Sequence, residues 1–250
     1  MTAHQRIDDS GVQLAHGQAW ANRYALAPMT NKQSHDDGTL AAVLAEQAGF
    51  DGVEVHGAHG FLLAQFLDQR NQRRDGYGGT LEHRMRALVE VLTGIRAATG
   101  DGFQVGIRLS PEAKGSPLDE GREVARQILS SEVVDFVDVS LRDVYATPHY
   151  NGDGGLLIDA FTDLPRGETV LSVTGHVLSA EDAAWCLAKG AVVVGIGVGA
   201  ILHHDFANRA LADPNCKARP QPVSRDVLRA ELVGSAFMDY LAADWDGLVA

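Results

Sequence analysis

The chain has 250 residues, with 33 acidic against 21 basic side chains, a formal charge of −12 and a pI near 5.2. A field of that sign repels phosphodiester backbones and anionic bilayers, so neither nucleic acid nor membrane is an expected partner. A phosphate-bearing cofactor remains compatible, because backbone amides and one or two cations suffice to hold it.

The length and a 45% hydrophobic content allow one sizeable α/β core, read as a single domain over 1–250. Cys186 and Cys216 have no paired spacing that would announce a disulfide framework or a zinc site. The opening MTAHQRIDDSG has no apolar h-region, and no apolar run reaches membrane-spanning length. A cytoplasmic protein is expected.

Short apolar runs then alternate with helical patterns. YALAP (Tyr24 to Pro28) and GVEVH (Gly52 to His56) read as strands. From Leu81 to Ala98, Leu81, Met85, Leu88, Leu92 and Ile95 share one helical face, with Thr80 placed to cap it and Gly100 beyond its end. Phe103 to Leu109 is a third strand. Ser116, Pro117 and Asp119 read as a cap, a first-turn proline and an acidic N3 residue for a helix reaching Leu129. Val134 to Leu141 is a fourth strand. The Gly-rich stretch from Asp143 to Arg166 reads as a functional loop.

Thr169 to Thr174 is a fifth strand. Ser179 opens a capping box for a helix ending at Lys189 and Gly190. Ala191 to Ile196, apolar throughout, fits a strand covered on both faces. A last helix is expected from about Ser224 to Tyr240. This alternation predicts a parallel sheet with crossover helices. No G-x-G-x-x-G follows the first strand, so the fold class is a TIM (β/α)8-barrel derivative. About six strands are present, and a closed barrel needs eight.

The most informative stretch is AGFDGVEVHGAHGFLLAQFLDQRNQRRDGYGG, from Ala48 to Gly79. It sets His56 at the C-terminal end of a strand and His59 just beyond, the end where barrel active sites form. Two imidazoles so spaced can both address one oxygen or one metal. Glu54 shares a strand face with His56, which leaves a metal-dependent hydrolase as a reading to be tested, although no matching carboxylate cluster follows the later strands.

This stretch resembles the signature of the Old Yellow Enzyme (NADH:flavin oxidoreductase) family. The resemblance implies FMN as cofactor and NAD(P)H as reductant. It implies that His56 and His59 hydrogen-bond the oxygen of a small alkene, enone or nitro substrate. NRYALAPMTNKQSHDDGTL resembles the family's first barrel strand, and implies flavin contacts at Ala27, Pro28, Met29 and Thr30. GIRLSP implies that Arg108 reaches the anionic edge of the reduced ring. VDFVDVSLRDVYATPH, LIDAFTDLPRG, VTGHVLSAEDA and AVVVGIGVGAILHHDFANRA resemble the last three strands, and imply phosphate contacts at Gly175 and Gly197. His203 and His204 belong to the tail motif of the last segment and read as structural, so no metal site is expected.

Four departures accompany the resemblance. DGTL runs almost directly into AAVLAEQAGF, where the family carries its second and third barrel units, some 60 to 100 residues at about 30 per unit. Those units supply a glutamine and other groups for the flavin pyrimidine edge. Phe61 stands where the family has a proton-donating tyrosine. Val198 replaces a phosphate-binding arginine, and Val192 an aspartate. Two readings follow: an ene-reductase-type oxidoreductase, or a truncated paralogue that no longer holds flavin. Open strand edges also leave room for a homo-oligomer.

Overall fold

The computed structural model describes residues 10–26, 38–150 and 154–250. Six strands form one parallel sheet: β1 (Tyr24–Leu26), β2 (Gly52–Gly57), β3 (Gln104–Leu109), β4 (Phe136–Ser140), β5 (Val170–Thr174) and β6 (Val193–Ile196). Their order is β1-β6-β5-β4-β3-β2. The first strand pairs with the last, with Ala25 opposite Gly195, as in a ring rather than a flat sheet. Among the described residues the ring is a half-barrel open between β1 and β2, two strands short of the eight that close one.

The helices are α1 (Gly38–Gln47), α2 (Leu62–Leu67), α3 (Leu81–Ala98), α4 (Leu118–Leu129), α5 (Asp159–Thr162), α6 (Ala180–Ala188), α7 (Val198–Leu202), α8 (Phe206–Ala212), α9 (Arg225–Ala230) and α10 (Ser235–Asp244). α3 forms where the 3.6-residue pattern places it. It buries Met85, Leu88, Leu92 and Ile95, and the Thr80 hydroxyl accepts from the His83 N–H. The Ser179 cap of α6 accepts from the Asp182 N–H. The main core lies between the outer face of the sheet (Val105, Ile107, Val137, Val139, Leu171, Val173, Val194) and these helices. No helix among the described residues is long and apolar enough to cross a membrane.

Three local expectations are corrected. Ser116 does not cap α4: its N–H and C=O pair with Ala113, and Pro117 takes the cap position in extended conformation. The expected last helix splits into α9 and α10, because Leu232 turns left-handed (φ 64°) and Gly234 restarts the chain. These two helices build a separate cluster with α7, around Leu202, Leu228, Met238 and Leu241. Within the predicted loop from Asp143 to Arg166, the short α5 forms and buries Phe161.

Strand β4 starts two residues later than expected, since Asp135 has another task. This fully buried carboxylate takes the His16 N–H at 2.9 Å and the His16 Nδ1 at 2.7 Å on one oxygen. Its other oxygen takes Arg96 at 2.6 Å and the Val105 N–H at 2.8 Å. It thus ties the N-terminal hairpin (the Val12–Trp20 bridge) and α3 to the base of the barrel. Above it Val12, Leu14, Val170 and Val193 plug the ring's lower end.

Removing one partner from such a buried pair leaves a charge without compensation, at a cost of about 3–5 kcal/mol. Asp135→Ala is therefore expected to lower the denaturant midpoint by that equivalent. Glu123→Ala, which breaks the exposed pair with Arg126, changes it by less than about 1 kcal/mol. Equal losses in the two variants would contradict this account of the base.

Candidate active site

Side chains alternate across a strand, and one set of positions points into the ring. The register places His56 beside Arg108, Arg108 beside Asp138, and Asp138 beside Ser172 in one continuous row. One step toward the C-terminal end, Ser140 lies beside Thr174 and Thr174 beside Gly195. A Cβ at Gly195 would stand 1.9 Å from the Thr174 hydroxyl, so only glycine admits that contact. Below the row, Gly106 leaves space for the Phe136 ring, which would meet a Cβ at 2.0 Å.

The row is a chain of polar contacts. Arg108 and Asp138 are buried and form an ion pair at 3.1 Å. Asp138 also accepts from Thr174 at 2.8 Å and from Ser172 at 3.1 Å. Arg108 donates to the Ser140 hydroxyl at 3.1 Å, and that hydroxyl lies 2.8 Å from His59 Nε2.

Burial, then Arg108, His56 and Arg142, push the His59 imidazole down to about 4. Burial and Arg108 lower His56 as well. Both rings are therefore neutral hydrogen-bonding groups at neutral pH. Glu54, one inward position below His56, moves the other way. Burial and the nearby Asp138 push it up to about 8, against the pull of Arg108. Burial also raises Asp138, against Arg108 and the two hydroxyls.

Local backbone sets the mouth. His59 is left-handed (φ 58°), held by its N–H to the Ser110 hydroxyl at 2.9 Å. Arg142 (φ 66°) after β4 and His176 (φ 49°) after β5 share that conformation. Such strain in residues other than glycine concentrates at ligand sites. The His56 and His59 ring centroids are 5.2 Å apart, and the Phe61 ring lies 4.9 Å from His56. Glu112 takes the N–H groups of His149 and Tyr150 at 2.6 and 2.9 Å, which fastens the loop after β4 to the loop after β3.

Of the residues named from sequence, His56 and Arg108, on neighbouring strands, and His59, in the turn just beyond β2, come together. Gly175 and Gly197 directly follow β5 and β6, at the same C-terminal end. A Cβ on Gly175 would lie 3.0 Å from the Asp143 N and 3.1 Å from the Arg142 carbonyl carbon, so close chain packing already accounts for that glycine. Ala27, Pro28, Met29 and Thr30 lie outside the described residues. Ser140, Asp138, Ser172 and Thr174 were not singled out from sequence. Their signal is the alternation of VDFVDVSL and TVLSVT, which puts polar groups on the inward face of two otherwise apolar strands.

Two other features are separate from this row. A cavity of about 750 Å³ lies outside the barrel, between α2, α3 and α4, and meets the mouth at Gly57, Gly60, Ser110 and Glu112. His203, Asp205 and Glu231 bring ligand atoms within 4.8 Å of one another. Arg219 contacts both His203 and Glu231 there, so a guanidinium already supplies the positive charge.

A model of the NADH:flavin oxidoreductase / NADH oxidase family matches residues 32–210. The 12-oxophytodienoate reductase 1 of Oryza sativa subsp. japonica is 57% identical over 77 residues, 30% of this chain and 20% of that protein. An NADH oxidase of Thermoanaerobacter brockii is 42% identical over 92 residues, 35% of this chain and 14% of that one. Morphinone reductase superposes with a TM-score of 0.59 at 27% identity, over 76% of this chain and 50% of its own. Its complex with tetrahydroNAD superposes at 0.57. The chain thus spans half the length of that reductase and smaller shares of the curated relatives.

The shifts within the row have opposite consequences for stability. Glu54 titrates near 4.5 when unfolded and near 8 when folded. Its contribution is complete below 4.5 and is lost as pH rises through 8. His59, at 6.5 unfolded and about 4 folded, contributes fully above 6.5 and loses that contribution as pH falls through 4. Glu54→Gln, which stays neutral, should therefore exceed the parent Tm at alkaline pH, by about 2–4 °C for each kcal/mol of the lost contribution, the gap closing toward pH 5. A constant difference across that range would rule out a proton held at Glu54.

Proposed function

Because the chain belongs to the NADH:flavin oxidoreductase / NADH oxidase family, we propose that it is an FMN-dependent NAD(P)H oxidoreductase of the ene-reductase type. Its substrate is a small activated alkene, an enone or a nitroalkene. The observation that carries this reading is the pair of neutral imidazoles, 5.2 Å apart, set beside a buried guanidinium at the mouth of the half-barrel.

The residues present fit one side of a flavin. Arg108 keeps a positive charge inside the sheet beside the Ser140 hydroxyl, where an anionic ring edge would be stabilised. Gly175 and Gly197 would approach the phosphate with backbone amides, and residues 27–30 would supply contacts to the ring. When bound, the flavin supplies the hydride that reaches the alkene β-carbon.

The chain's own groups prepare that carbon. His56 and His59 donate to the substrate oxygen and withdraw charge from the conjugated system, so the transition state is stabilised where negative charge develops. Neutral imidazoles suit this task, since they donate without surrendering a proton at neutral pH. Phe61 covers the His56 ring and offers no proton, so the α-carbon takes its proton from water. The reading includes a cytoplasmic setting, where NAD(P)H is available.

Protein purified with excess FMN is expected to show flavin absorbance above about 400 nm that bleaches with NAD(P)H and recovers with cyclohexenone. His56→Ala and His59→Ala should each lower kcat/KM about 10²–10³-fold while keeping that absorbance. Protein that retains no flavin would instead support the truncated, non-catalytic paralogue, which the gap between β1 and β2 favours. Phe61→Tyr should raise turnover at least about 10-fold, since a positioned general acid contributes about 10²–10⁴. An unchanged rate in that variant would mean that proton delivery does not limit the reaction.

A further inference from the structure

We propose that Ser140 fixes which nitrogen of His59 carries the proton: its hydroxyl donates to Nε2, and the ring proton sits on Nδ1, the nitrogen left to donate to a ligand oxygen. The argument begins with Arg108, which has only donors. It lies 3.1 Å from the Ser140 oxygen, so that oxygen accepts there. Ser140 has one hydrogen of its own, and its other partner is His59 Nε2 at 2.8 Å.

Were Nε2 protonated, the serine oxygen would accept twice. Its own hydrogen would then be left to solvent, since no protein partner for it is found among the described residues. The arrangement in which Arg108 donates to Ser140 and Ser140 donates to His59 satisfies all three groups. His59 Nδ1 has no protein partner among the described residues.

The setting holds the ring in this state. The His59 backbone is anchored through Ser110, and Ser140 is the last residue of β4. The charged and titratable groups that act on the ring are Arg108 from β3, His56 from β2 and Arg142 after β4. All are basic, and with burial they keep the imidazole neutral, the condition under which the choice of tautomer matters. Ser140 is a positioning residue that acts through His59. Its importance for catalysis rests on the reading proposed above; the tautomer itself does not.

The test is a long-range proton–nitrogen NMR correlation of the ¹⁵N-histidine-labelled full chain at neutral pH, without flavin. The wild type is expected to carry the His59 proton on Nδ1, with Nε2 bare. Ser140→Ala should move the population toward the Nε2 form and raise the pH at which the ring protonates. Ser140→Thr, which keeps the hydroxyl, should restore the parent spectrum. A wild-type proton on Nε2 would overturn the proposal, and so would a Ser140→Ala spectrum with the wild-type tautomer. If Ser140→Ala does not fold, the wild-type spectrum and the threonine variant decide. An Nδ1 proton in a protein that reduces no enone would retain the Ser140 assignment and remove the ene-reductase reading. Enone turnover with an Nε2 proton would do the reverse.

Discussion

A guanidinium held inside a parallel sheet imposes order on everything around it. Arg108 is buried, and burying a cation is tolerated only with close partners. Asp138 supplies the countercharge at 3.1 Å and Ser140 an acceptor at 3.1 Å. Asp138 in turn requires the Ser172 and Thr174 hydroxyls. Thr174 leaves no room for a side chain at Gly195. One charge thus accounts for polar or minimal residues on four strands whose outer faces are apolar.

The same charge shapes the chemistry above it. Arg108 opposes protonation of both His56 and His59, which keeps the mouth lined by neutral donors. Glu54, facing a second carboxylate in the same interior, keeps its proton instead. Asp138, raised by the same burial, is drawn back toward the ionised form by Arg108 and by the Ser172 and Thr174 hydroxyls. The base of the barrel uses a related device, with Asp135 gathering His16, Arg96 and a strand amide. Structural anchoring lies at the N-terminal end of the strands and the candidate chemistry at the C-terminal end, as in barrels generally.

The open side is where this chain differs from a closed barrel. β1 and β2 are the two edges, and Leu26, Leu44 and Phe50, on β1, on α1 and just before β2, are largely exposed. An edge with apolar flanks is a site for further pairing. The inward row does not depend on those edges alone, because Arg108, Asp138, Ser140, Ser172 and Thr174 sit on β3, β4 and β5, three of the four inner strands. The half-barrel therefore holds the Arg108–Asp138 pair and its hydroxyl partners on strands that are paired on both sides.

Local pattern alone placed the strands to within two or three residues, the α3 face and the caps at Thr80 and Ser179, because these depend on periodicity and neighbouring side chains. The shortage of strands was also legible, in the abrupt passage from DGTL to AAVLAEQAGF. The split between α9 and α10 was not, since the left-handed turn at Leu232 serves the packing of the C-terminal cluster. His56, His59 and Arg108 could be picked out by motif. Asp138, Ser140 and Thr174 became partners only through strand register, which sets residues about 30 positions apart side by side. Residue identity decided that two imidazoles and an arginine would be present at one end of the sheet. Tertiary structure decided their charge states, because burial and neighbouring charges from other strands, rather than sequence neighbours, set where each group titrates.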